Sequence, residues 1–117
     1  GLSPRRVTIN FLIDGGGSVI TAGEKGVVEV PYPMCLDTCD LMADVAGSIG
    51  VGIYKCDYTG YNTAWSGLGT PTIASAVKSQ TALNWSLNAN DILRFYVSSI
   101  ATITRCTVAL RGYVQKP

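Results

Sequence analysis

Apolar residues alternate with polar ones in several separate stretches of this chain, and no stretch of helix length repeats them at helical spacing. The clearest run is Val7-Thr8-Ile9-Asn10-Phe11-Leu12-Ile13. Val7, Ile9, Phe11 and Ile13 share one side of an extended segment and Thr8 and Asn10 the other, as a half-buried strand requires. Asp14-Gly15-Gly16-Gly17 ends the run with backbone positions that take positive φ without a Cβ penalty, so the chain is expected to reverse or bulge there. A second strand is predicted from Gly26 to Val30, closed by Pro31 and Pro33, which donate nothing to a ladder. Strand, turn and return strand are expected to found the fold.

The rest of the chain repeats this grammar. Cys39 to Ala43 is a strand candidate, followed by an expected turn at Asp44–Gly47 and a return strand with Ile49, Val51 and Ile53 on one face. Gly50 and Gly52 fall on its other face, which implies either close approach of another backbone or a thin, exposed side. From Asp57 to Pro71 the period is lost, and the segment reads as a long loop carrying Tyr58, Tyr61 and Trp65. Rigid amphipathic rings of this kind suit contacts with a partner or glycan, although Trp65 is expected to cap the end of the core. A strand is predicted over Lys78–Leu83 and a turn over Leu87–Asp91. Asp91–Val97 and Thr102–Val114 then read as a C-terminal hairpin, its last strand placing Cys106, Val108, Leu110 and Val114 inward and Arg105, Arg111 and Tyr113 outward. Seven or eight short strands with turn signals between them predict an all-β fold, an antiparallel β-sandwich or jelly roll, over a single domain at 7–117, preceded by a flexible N-terminal arm at 1–6.

Composition narrows the partners. A chain of 117 residues holds one core. With a net charge of +1 and basic residues scattered apart from Arg5-Arg6, it has no stripe to neutralise several phosphates, so nucleic acid is not expected as a partner. The longest nearly uncharged apolar stretch, Val45–Tyr54, is broken by three glycines and is far shorter than the ~20 residues of a membrane helix, so no membrane contact is expected.

Candidate chemistry is sparse. The absence of histidine removes Ser-His-Asp and Cys-His pairs, so no enzyme activity is expected. Cys35, Cys39, Cys56 and Cys106 lack the two close ligand pairs of a cysteine zinc site, and read as buried thiols or as one or two disulfides. Cys35 and Cys39 on one straight strand would lie about 13 Å apart, too far to bridge. The aspartates fall mostly at expected turns and form no Asp-x-Asp calcium loop, and the glycines near Lys25 lack phosphate-loop spacing. No metal or cofactor is expected.

A set of segments carries a further signal: Ile13-Asp14-Gly15-Gly16-Gly17-Ser18-Val19-Ile20-Thr21-Ala22-Gly23-Glu24-Lys25-Gly26, Val30-Pro31, Leu41-Met42-Ala43-Asp44, Gly47-Ser48-Ile49, Ile53-Tyr54-Lys55, Pro71-Thr72-Ile73, Lys78-Ser79-Gln80, Asp91-Ile92-Leu93-Arg94-Phe95 and Ile103-Thr104-Arg105. Together they resemble a small domain that recurs in tailed-bacteriophage virion proteins, alone or at the ends of tail-fibre chains. The resemblance implies a structural or adhesive role in a virion, on the outer surface of the head or on a tail fibre, and brings no catalytic residues. Its first form is a capsid decoration, or cement, protein: a homotrimer that binds the major capsid protein or other virion proteins and stabilises the shell. The chain starts a few residues before its first strand with no stalk, which favours that form, and the Arg5-Arg6 arm is expected to lie along a neighbour. Its second form is the receptor-binding end of a tail fibre, with Tyr58, Tyr61 and Trp65 touching a host surface receptor.

Overall fold

The structure, a computed structural model, describes residues 5–114. Among them run β1 (Arg6–Asp14), β2 (Gly23–Glu29), β3 (Met34–Asp57), β4 (Ser66–Gly69), β5 (Thr72–Leu87), β6 (Asp91–Ala101) and β7 (Arg105–Val114), with no helix. Every pairing is antiparallel, as the alternating pattern predicts.

The strand that joins everything is β3, 24 residues long. Its first half pairs with β7 along one edge and β5 along the other. Its second half, from Ser48 to Asp57, pairs with β6 along one edge and, at Ile53–Lys55, with β4 along the other. A break in register between Met42 and Gly47 marks the bend at which β3 leaves one layer and enters the next. One layer is therefore β1-β7-β3-β5 and the second β2-β6-β3-β4. Leu36, Cys39, Leu41, Ile49, Val51, Ile53, Phe95, Cys106, Val108 and Leu110 are fully enclosed between them. All four cysteines are free thiols, and of the two alternatives, buried thiols or disulfides, the first holds for Cys39, Cys56 and Cys106, while Cys35 is a partly exposed thiol.

Three expectations are corrected by this arrangement. The continuous β3 replaces two strands and a turn at Asp44–Gly47. Asp44 does not reverse the chain: its carboxylate accepts from the N–H of Thr104 at 3.2 Å, the N–H of Arg105 at 3.0 Å and the Thr104 hydroxyl, tying the β6–β7 connection to the bend. Next, β6 and β7 form no hairpin, because each pairs with β3 in a different layer. Finally, β1 and β2 are not paired: β1 lies beside β7 and β2 beside β6. Gly16 and Gly17 do adopt φ of 68° and 92°, but the turn they make leads across to the facing layer. Period-two patterning says which face of a strand is buried and is silent about which strand lies beside it.

Smaller revisions follow. The loop expected over Asp57–Pro71 contains β4, and the strand expected over 78–83 extends to Thr72–Leu87. Of the arm expected at 1–6, residues 1–4 lie outside the described residues. Arg6 opens β1 opposite Tyr113, and the Arg5 carbonyl accepts from Val114 N–H at 2.8 Å.

Candidate functional site

The outward face of the second layer carries an aromatic and arginine cluster. Tyr54 on β3 stands opposite Arg94 on β6, both pointing away from the core. The Tyr54 ring lies along the sheet because Gly52 and Gly67 flank it: a Cβ at these positions would come within 3.2 and 3.6 Å of the ring. Gly52 thus admits a side chain, and the close approach expected there is mainly not that of a backbone. The Arg94 guanidinium carbon lies 4.8 Å from the Tyr54 ring centroid and 4.7 Å from that of Trp65. Such cation–π contacts favour the guanidinium, whose planar face matches the rings. Arg94 also reaches Glu24 on β2 at 3.7 Å, and its Nε is enclosed without a hydrogen-bond partner.

The loop between β3 and β4 places the remaining rings. Asp57 accepts from Gly60 N–H at 2.6 Å and the Thr63 hydroxyl donates to the Gly60 carbonyl at 2.6 Å, closing a tight turn. Trp65 then meets Tyr61 edge to face, with centroids 5.9 Å apart, and its indole N–H points to Asn62 Oδ1 at 3.4 Å. Trp65 therefore does not cap the core; it is half-buried over Arg94 on the outer surface. Tyr61 and Tyr58 remain 45% and 66% exposed. Beside this loop an open cleft of about 400 Å³ is lined by Lys55, Asp57, Ser66, Asn88 and Asp91 among others. Asp91 accepts from Asn88 N–H at 2.8 Å and faces Lys55 Nζ at 3.8 Å, so its charges are already partnered.

The outward face of the first layer is different. Leu12, Thr107, Met42 and Lys78 form a row across β1, β7, β3 and β5. Leu12 and Met42 are 57% and 44% exposed, and Val45 and Val77 are exposed near the bend of β3. The next row, Asn10, Ala109, Asp40 and Gln80, is polar: Asp40 accepts from the Gln80 amide at 2.8 Å and pairs with Arg111 at 3.0 Å. A shallow depression of about 500 Å³ runs along this border between β3 and β5.

Of the partner-binding residues expected from sequence, Tyr61 and Trp65 come together, with Tyr58 in the same turn. Arg5 and Arg6 belong to the edge of the opposite layer. There Arg6 donates to Asp37 at 3.0 Å, and this guanidinium holds the Asp37 carboxyl below its ordinary 3.8. Tyr54, Arg94 and Glu24 were missed by the sequence reading. The available signal was the outward phase of Arg94 in its strand, and only the pairing of residues 54 and 94 gives it meaning. No group of three or more potential metal ligands occurs among the described residues.

No family model and no curated protein matches the chain. Solved structures with a similar fold include CpGH89CBM32-6 produced by Clostridium perfringens, with a TM-score of 0.51 and 11% identity over 93% of this chain and 94% of that one. Chains of infectious bursal disease virus, strains Gt and Gx, give TM-scores of 0.42 and 0.39 at 14% and 13% identity, covering 93% and 97% of this chain. This chain spans about a third of their length, 32% and 37%. At 11% identity the likeness to the Clostridium perfringens structure is one of fold.

Proposed function

We propose that this chain is a structural protein of a bacteriophage virion, a capsid decoration protein that docks by the outward face of its first layer on the head exterior. The observation that carries the reading is the exposure of Leu12 and Met42, two places apart in one row across a four-stranded sheet, with Val45 and Val77 exposed near the bend of β3 and the Asp40 pairs in the neighbouring row. An apolar centre with a polar border is the anatomy of a protein-binding surface. A four-stranded face offers a broad contact to an ordered capsid surface, and the motif resemblance supplies the virion. Seated across two capsomers, the domain would stabilise the shell without chemistry, and the reading requires no catalytic group, cofactor, membrane or nucleic acid. Co-sedimentation with purified heads lacking the protein tests it. Wild type should bind and Met42→Glu should not, while heads that fail to retain the wild-type chain contradict the reading.

A second reading, the receptor-binding end of a tail fibre, is favoured by the exposed Tyr58 and Tyr61 beside the Arg94–Trp65 stack. It expects the isolated domain to adsorb to host cells and block infection, and Tyr58→Ala with Tyr61→Ala to abolish both effects. Adsorption unchanged by that double substitution contradicts it.

A further inference from the structure

Among the described residues, β1 and β5 flank one layer and β2 and β4 the other, each with an unpaired edge. Such edges invite another strand unless they are short, charged, bulged or interrupted by proline. Three of them are guarded. β4 has four residues. β2 carries Glu24, Lys25 and Glu29, with a bulge between Glu24 and Gly26. β5 has Lys78 within it and several register breaks against β3. β1 has none of these devices: it is nine residues in unbroken register with β7, without glycine or proline, and its only charges are Arg6 and Asp14 at its two ends.

Which backbone groups β1 leaves free follows from its ladder. The Arg5 carbonyl accepts from Val114 N–H and Gly15 N–H donates to the Thr104 carbonyl, both at 2.8 Å. In an antiparallel pair, bonded and non-bonded positions alternate, so the odd residues between them exchange bonds with β7. The even residues Arg6, Thr8, Asn10, Leu12 and Asp14 turn their N–H and C=O toward the open edge.

We infer that this edge is an interface for a second copy of the chain, with β1 adding to β1 antiparallel about a two-fold axis at Asn10. Arg6 and Asp14 stand equally far to either side of Asn10, so this register sets Arg6 of each copy opposite Asp14 of the other. Thr8 faces Leu12, and Asn10 faces its own copy. The register also brings free backbone groups opposite free backbone groups, enough for about ten main-chain hydrogen bonds. On the inward side Val7, Ile9 and Phe11 pack on the core but remain only partly buried. The same pairing lays Val7 beside Ile13 and Ile9 beside Phe11, covering that flank. Arg6 already binds Asp37, and its guanidinium has donors enough for both carboxylates. The β1-β7-β3-β5 layer of each copy becomes half of a continuous eight-stranded sheet, and because the contact is two-fold it closes without forming a fibre. The inference is independent of the virion reading and differs from the trimer that the family resemblance implies.

Sedimentation equilibrium of the full chain tests it. Wild type should give twice the 12.4 kDa of one chain. Asn10→Lys sets two ammonium groups against each other at the axis and leaves the ladder with β7 intact, so it should give one chain's mass with an unchanged circular dichroism spectrum. Arg6→Asp alone should weaken the dimer, and combining it with Asp14→Arg should restore it. Amides of Thr8, Asn10 and Leu12 should exchange slowly in wild type and rapidly in Asn10→Lys. A monomeric or trimeric wild type, or a dimer untouched by Asn10→Lys, overturns the inference.

Discussion

The ring of Phe11 lies parallel to that of Phe95, their centroids 4.4 Å apart and their planes 9° from coincidence. This contact joins an edge strand of one layer to the middle of the other. Gly26 makes room on the facing strand: its φ is 152°, and a Cβ there would stand 2.8 Å from Phe11 Cζ. Phe95→Ala is expected to cost ~3–5 kcal/mol, as for other buried phenylalanines, and Phe11→Ala about 2 kcal/mol because its ring is only partly buried. Gly26→Val should destabilise by ~1–3 kcal/mol through backbone strain and overpacking against Phe11. Urea unfolding of the three variants checks this ranking. A Gly26→Val midpoint equal to wild type would contradict the role given to Gly26.

Arg94 holds the aromatic loop through its plane more than through its charge. Arg94→Ala should cost ~1–2 kcal/mol and speed amide exchange over residues 60–65, while Arg94→Lys, which keeps the charge but not the stacking fork, should recover less than half of that protection. Hydrogen exchange of the loop amides is the readout. Full recovery by lysine would reduce the stack to simple charge pairing with Glu24.

Acid should loosen the bend of β3. The Thr104 hydroxyl first, and then the N–H groups of Arg105 and Thr104, hold the Asp44 carboxyl at about 2 against its ordinary 3.8. The fold therefore favours the ionised form. That stabilisation is complete above the ordinary value and is lost as pH falls through the lowered one. The urea midpoint should drop between about pH 4 and pH 2, and Asp44→Asn should start lower and lose less over the same window. An equal drop in the variant would assign the acid sensitivity to another group, such as Asp37.

Thiol reactivity should separate one cysteine from three. Burial pushes Cys39 up to about 12 and Cys106 up to about 11, Cys56 is also buried, and Cys35 is half-exposed. A chromogenic disulfide reagent at pH 8 should modify Cys35 quickly and the other three only on unfolding. Cys35→Ser should remove the fast phase.

These thiols also show what the sequence could and could not disclose. Cys106 was placed in the core by the alternation of β7, and Val7 to Ile13 declared their strand and its buried side, because a half-buried strand writes its period directly into the chain. Asp44 and Gly47 look like a turn because polar and small residues serve at bends as well as at reversals; only the long-range bonds to Thr104 and Arg105 tell the two apart. Arg94 and Tyr54 lie 40 residues apart and meet through register, which no local pattern encodes. Tyr61 and Trp65 are legible as near neighbours because one short turn holds both, but the place of Trp65 over Arg94, instead of on the end of the core, again depends on register.

The most direct test of the proposed function is the binding of the purified chain to phage heads lacking it, followed by thermal unfolding of the washed heads. Retention of the wild-type chain with a raised head melting temperature, both lost in Met42→Glu and both kept in the Tyr58→Ala, Tyr61→Ala double variant, is the predicted result. Heads that retain none of the wild-type chain and melt unchanged would contradict it.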